Sequence, residues 1–226
     1  GAFPNTGLMA FTNSTTNIQT SVTSANLSSP FINRSGGTVN LSSTWDNTGV
    51  VSDLAAAGNL GSVNLLTGSK IVNGTVTSSG AAGVTVLAFN STTLDNLTLG
   101  APLSALSGAT ITVPNTLTLS NNATMNLATT CCSASALNFT GTLTTPQLLG
   151  TGTIVGSGVS APSFVQPTTA GATLTIGAGI TLRGAGLTVG NAALGLVNQG
   201  TVNADVAGGG ITVTGTNWAN QGTLTA

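Results

Sequence analysis

The sequence predicts an all-β chain wound as a single-stranded parallel β-helix (a β-solenoid), right-handed, with rungs of about 20–25 residues. Three observations predict it. Thr alternates with Val, Ile or Leu in short runs, which is the period of a half-buried strand. Gly, Asn and Ser punctuate those runs and supply turns. Short motifs return at rung spacing: Asn198-Gln199-Gly200-Thr201-Val202 comes back as Asn220-Gln221-Gly222-Thr223-Leu224, and Gly37-Thr38-Val39-Asn40-Leu41 comes back as Gly61-Ser62-Val63-Asn64-Leu65. A weaker match sets Gly152-Thr153-Ile154 against Gly171-Ala172-Thr173-Leu174, with Thr153 answering to Thr173. A distant one sets Trp45-Asp46-Asn47-Thr48-Gly49 against Trp218-Ala219-Asn220-Gln221-Gly222.

The elements follow in chain order. Residues 1–30 carry scattered apolar side chains without the Gly-Thr-Val pattern and read as an N-terminal cap or an assembly arm, with a first coil as the other reading. From residue 31 to 226 the chain reads as solenoid. Its clearest strands are 38–41, 75–77, 84–87, 110–113, 116–119, 173–176, 180–182 and 211–214. Helical spacing is absent except for one turn's worth of residues at Val51–Ala57. Gly and Asn take the corners that need positive φ, and Asn at matching corners can stack into amide ladders. A sandwich or barrel competes with this reading. Small core residues and an aromatic content of 4% suit a narrow coil interior better. Residues 217–226 form a rung fragment without a polar cap, so the sequence predicts that further chain or another subunit covers it.

Composition narrows the function. Only 3% of the 226 residues are charged, the net charge is −1, and there is no His. The sequence also has no Glu, which removes the commonest acid–base groups and metal ligands together with His. Three cations cannot form a nucleic-acid-binding patch. No apolar run is long enough to insert in a membrane as a helix, and nothing calls for a cofactor. Disorder is excluded because mean hydropathy is +0.40 with almost no charge. Near-neutral chains associate, so we expect an extracellular or cell-surface location where association is useful. The first residues lack a basic and apolar leader, so the chain reads as a mature or partial form.

The run Ser35–Leu41, then Trp45–Gly49, Ile180–Gly184 and Leu196–Asp205, resembles bacterial β-strand-repeat surface proteins, akin to filamentous-haemagglutinin and autotransporter-passenger β-helices. The resemblance implies a surface fibre, stalk or adhesin and brings no catalytic residues. It covers most of residues 31–226 and speaks to architecture more than to activity.

Candidate residues are few. The four Asp (46, 53, 95 and 205) form no pair in sequence, so we expect no enzyme. Arg183 and Asp205 lie one rung apart and are expected to form an exposed ion pair. Thr-x-Thr at 110/112, 116/118, 173/175 and 212/214 raises glycan or ice binding, against the simpler view that Thr favours outward strand positions. Cys131 and Cys132 read either as small strand residues or as disulfide partners, with a bridge between neighbours geometrically awkward. Asn13, Asn26, Asn33, Asn40, Asn73, Asn90, Asn96, Asn122 and Asn138 head glycosylation sequons. The expected function is that of a structural subunit that partners itself, head to tail, by strand addition. Its interface is Phe3, Leu8 and Phe11 at one end and Trp218 and Leu224 at the other. A glycan-binding surface rod is the alternative.

Overall fold

A computed structural model describes residues 7–27, 32–129, 133–141, 145–158 and 161–226. Among them there is no α-helix, and every strand pairing is parallel. The chain climbs through nine coils, visiting three faces of a prism in the same order each time. Coil one is β1 (Met9–Thr12), β2 (Thr15–Ile18) and β3 (Val22–Thr23); coil two is β4 (Ile32–Ser35), β5 (Thr38–Leu41) and β6 (Thr44–Asp46). Coils three to five are β7 (Val51–Asp53), β8 (Val63–Leu65) and β9 (Ser69–Val72); β10 (Thr75–Thr77), β11 (Val84–Val86) and β12 (Ser91–Asp95); and β13 (Leu97–Gly100), β14 (Leu103–Ala105) and β15 (Thr110–Val113).

In coils six and seven one long strand turns the corner between two faces. These are β16 (Thr116–Thr129) followed by β17 (Ala136–Phe139), and β18 (Gln147–Gly158) followed by β19 (Ser163–Pro167). Coils eight and nine are β20 (Thr173–Ile176), β21 (Ile180–Ala185) and β22 (Leu187–Val189), then β23 (Gly195–Asn198), β24 (Thr201–Asn203) and β25 (Ile211–Val213). β26 (Ala219–Asn220) and β27 (Thr223–Thr225) begin a tenth coil on the first two faces.

The alternation seen in the sequence becomes an inside and an outside. In β5, β8, β11 and β15 the apolar members of each Thr/Val or Asn/Leu run are buried and the polar members face solvent. The core is a single column from Phe11 to Val202, dominated by Leu, Val and Ile. No coil could bury this face alone, so each is stable only between neighbours. Each fully buried Leu or Ile contributes about 1.5–3 kcal/mol of transfer free energy.

The register sharpens several expectations. Val39 stacks on Val63 and Asn198 on Asn220, so both clear motif repeats are true rungs. The weaker one is not: Thr153 pairs with Thr181, and Thr173 with Gly195. Rung length varies from the short step between Val84 and Leu103 to the long step between Leu117 and Leu148. This spread is wider than the sequence suggests, because loops and bends are inserted at corners without disturbing the faces. The two Trp motifs are unrelated in space. Trp45 is 1% exposed on the third face, whereas Trp218 leads into β26 on the first face and is 42% exposed. Val51–Asp53 is a strand; Leu54 to Asn59 is a run of turns, and among the described residues the one helical turn is a 3₁₀ segment at Ser24–Leu27. Residues 9–12, 15–18 and 22–23 form the first coil of the same ladder, pairing with β4, β5 and β6.

On the first face the ladder breaks between β4 and β7. A buried polar cluster fills the corner there. Trp45 Nε1 donates to Ser24 Oγ at 2.8 Å, Ser24 and Ser52 both donate to Asn47 Oδ1, and Asn47 Nδ2 donates to the carbonyls of Val50 and Thr75.

Candidate functional site

The features with chemical potential are the two ends of the prism and its outward files. At the N-terminal end the mouth of the first coil is uncovered among the described residues. A hollow of about 130 Å³ is lined by residues of the first coil alone, among them Met9, Thr16, Ile18, Val22 and Leu27. Its wall is mostly apolar because Ile18, Val22 and Leu27 point inward with no coil beneath them among the described residues. At the other end no residue after Val202 is buried. β25, β26 and β27 each pair on one side only. Leu224 stacks on inward Val202 and continues the core column, yet is 43% exposed.

Seven large apolar side chains are exposed among the described residues, and Leu8, Val206, Trp218 and Leu224 belong to the end coils. Apolar exposure is therefore concentrated where strand edges are also unsatisfied. Phe11 differs from the expectation: it is 4% exposed and packs into the chain's own core, because β1 is a true rung whose inward position it occupies. Phe3, Cys131 and Cys132 lie outside the described residues.

Outward positions stack in files. On the second face Asn17, Asn40 and Asn64 form an amide ladder, Asn40 Nδ2 donating to Asn17 Oδ1 at 2.9 Å and Asn64 Nδ2 to Asn40 Oδ1 at 3.1 Å. Further up the same face Thr124, Thr153, Thr181, Thr201 and Thr223 stack over five successive coils. The sequence reading missed this file because its members stand one unequal rung apart, with no Thr-x-Thr at Thr124, Thr181 or Thr201. The Thr-x-Thr segments that drew attention divide between the first face (116/118 and 173/175) and the third (110/112 and 212/214), and none stacks on another. At the corner below β27, Asn198 is fully buried and donates to Asn220 Oδ1 at 2.8 Å, the corner ladder that the Asn-Gln-Gly repeat predicts.

The charges are structural in their contacts. Arg183 and Asp205 meet one rung apart, Nη2 to Oδ2 at 2.6 Å, and the Gly184 N–H also donates to Asp205. Arg183 holds the Asp205 carboxyl below its ordinary value. Hydrogen bonds from Thr48 lower Asp46, and bonds from Ser79 lower Asp53. Asp95 accepts from Asn115. Asp46 and Asp95 share a file but Val72 stands between them, so no two of these carboxylates are brought together there. Among the described residues no group of three His, Cys, Asp or Glu side chains forms a metal site, and no helix is long and apolar enough to cross a membrane.

The sequon asparagines separate by use. Asn40, Asn73 and Asn90 donate their side-chain N–H groups, to Asn17 Oδ1, Thr48 Oγ1 and the Ala88 carbonyl, whereas Asn26 and Asn138 accept through Oδ1 from Thr23 and Gln166. Asn13, Asn33, Asn96 and Asn122 are exposed, three of them with positive φ.

One exposed aromatic breaks a local rule. Turns 66–69, 87–90 and 106–109 stack at the corner between the second and third faces, each closed by a backbone hydrogen bond. Their third residues are Gly68, Phe89 and Gly108, all with positive φ. Phe89 has φ 59° and is 68% exposed, its ring lying against Gly108 of the next coil.

No family model, curated protein or solved structure matches this sequence.

Proposed function

We propose that this chain is a structural subunit of an extracellular, cell-surface fibre that lengthens head to tail by strand addition and coil stacking. One observation carries the reading: among the described residues neither end of the prism is covered, with an apolar mouth at coil one and three half-paired strands beneath exposed Leu224 and Trp218 at the other. Exposed parallel edges pair with a further strand, and a heterologous end-to-end contact generates an open filament. The near-absence of charge removes the repulsion that would keep copies apart. The resemblance to strand-repeat surface proteins points the same way, and the function asks no catalysis of the chain. Purified chain should form unbranched rods in negative-stain micrographs, with sedimentation shifting to larger species as concentration rises. A monomer that persists at high concentration overturns the proposal.

Phe89 favours a second reading, a carbohydrate-binding surface rod. A bulky residue held in left-handed backbone is a recognised mark of function. It stands beside a polar hollow lined by Lys70, Ser91, Thr93 and Thr112, and an aromatic ring can stack on the C–H face of a sugar. On this reading a neutral-glycan array shows binding that Phe89→Gly abolishes; an array without signal removes it.

A further inference from the structure

An aromatic-poor chain turns two rings outward on one side of the prism. We infer that the third face binds an extended neutral polysaccharide of equatorially linked pyranoses, laid across the coils on Phe89 and Phe164. This rests on the glycan-binding reading and names its platform and its ligand.

The rings share one edge of one face. Phe11 and Phe139 are buried in the core, whereas Phe89 is 68% exposed and Phe164 takes an outward position of β19 between buried Ser163 and Val165. Phe164 is the first outward residue of its strand, and it stacks in a file with Thr110, Ala136 and Thr188. Ser91 belongs to the same file, and the turn that leads into it holds Phe89. Left-handed backbone at Phe89, where the stacked turns have Gly68 and Gly108, keeps that ring outside the core.

Their separation suits a sugar ribbon. The Phe89 ring lies against Gly108, which is in coil five, and Phe164 is in coil seven. Two strand spacings, roughly 10 Å, therefore separate the rings along the prism. A flat ribbon of equatorially linked pyranoses repeats over a disaccharide of that length and offers the same ring face at every second sugar. Each phenyl face can then stack on a C–H face of the ligand. The residue of the file in coil six, between the two levels, is Ala136, whose methyl group stands low.

The surroundings set the chemical class. The next outward file is Thr93, Thr112, Asn138 and Gln166. Gln166 Nε2 donates to Asn138 Oδ1 at 3.0 Å, and amides keep further donor and acceptor capacity. Hydroxyls and amides thus run beside the rings, where sugar hydroxyls need partners. A hollow of about 90 Å³ lined by Lys70, Ser91, Thr93 and Thr112 borders both files and can take a ring substituent. β15, β17, β19 and β22 carry no charged residue, so the platform favours a neutral chain over an acidic one.

The test is titration of the full chain with cellohexaose and with cellobiose, read by calorimetry and by phenylalanine ring resonances. Cellohexaose spans both rings and should bind about tenfold more tightly than cellobiose. In the native chain it should shift the resonances of Phe89 and Phe164 and leave those of buried Phe139 in place. Phe89→Gly and Phe164→Thr should each weaken cellohexaose binding about tenfold. Thr already occupies this file at Thr110 and Thr188, and Phe164→Tyr, which keeps the ring, should bind as the native chain does. A shift confined to Phe89, undiminished binding by Phe164→Thr, or an equal loss in Phe164→Tyr overturns the two-ring platform and leaves the Phe89 reading standing. So does a chain that ignores cellohexaose yet binds other arrayed glycans through Phe89. A glycan array without signal overturns both.

Discussion

Asn47 is fully buried and ties its corner together through hydrogen bonds to Ser24, Ser52, Val50 and Thr75 and, through its backbone N–H, to Val72. Alanine there would leave two hydroxyls and two carbonyls short of partners inside the protein. Each such loss costs about 1–3 kcal/mol when water cannot replace it. Asn47→Ala should therefore lower stability by about 2–4 kcal/mol, read as a fall in the denaturant midpoint with little change in slope. Phe89 makes the opposite case. Its neighbours in the stack use glycine, and a left-handed conformation costs an ordinary residue about 1–2 kcal/mol. Phe89→Gly should raise stability by about 0.5–1 kcal/mol after the chain-entropy cost of glycine; an unchanged or lower melting temperature would show that the ring's contact with Gly108 outweighs the strain.

Strands as short as these have no stability of their own, and the unit that matters is the file. Val63, Val84, Leu103, Met125 and Ile154 stack directly inside the second face, so a truncation in one coil opens space against the coils on both sides. The bend within β18 is set by Gly150, whose φ is +86° and where a β-carbon would meet the Leu119 carbonyl oxygen at 1.9 Å. Gly150→Ala should lower the melting temperature markedly, by the equivalent of about 2–4 kcal/mol, because neither the backbone beneath nor the left-handed corner can yield. The strands themselves were legible as alternation. The bends through β16 and β18 were not, because Ser120-Asn121-Asn122 and Gly150-Thr151-Gly152 read as turns between separate strands, whereas the strand continues round the corner. Phe11 was misplaced for a related reason: scattered apolar residues conceal a rung when its corners lack the Gly-Thr-Val pattern.

The whole molecule has few charges, and this sets its response to solution conditions. Asp46, Asp53 and Asp205 all have pKa values lowered from 3.8. A depressed carboxyl contributes stability that is present above its unfolded value and is lost as pH falls through the folded one. With no His to titrate, the melting temperature should stay level from about pH 8 to about pH 5 and fall only below about pH 4. A step near pH 6 would contradict this. Assembly, driven by backbone pairing and apolar contact, should change little with added salt. Leu224→Asp should shorten or abolish the rods while lowering the monomer's melting temperature only slightly, since Leu224 is 43% exposed where it stacks on Val202.

Thr/Val alternation, Gly and Asn at the corners, and the Asn-Gln-Gly repeat determined the solenoid and its rung repeats by themselves, because strand period and turn chemistry are local properties of the chain. The Arg183–Asp205 pair followed from the same arithmetic. Which side chains share a file was decided only in three dimensions: rungs as unequal as Val84 to Leu103 and Met125 to Ile154 cannot be aligned from spacing alone. The five-coil Thr file and the cluster around Asn47 both depend on corner insertions whose lengths the backbone absorbs and the pattern of residues conceals.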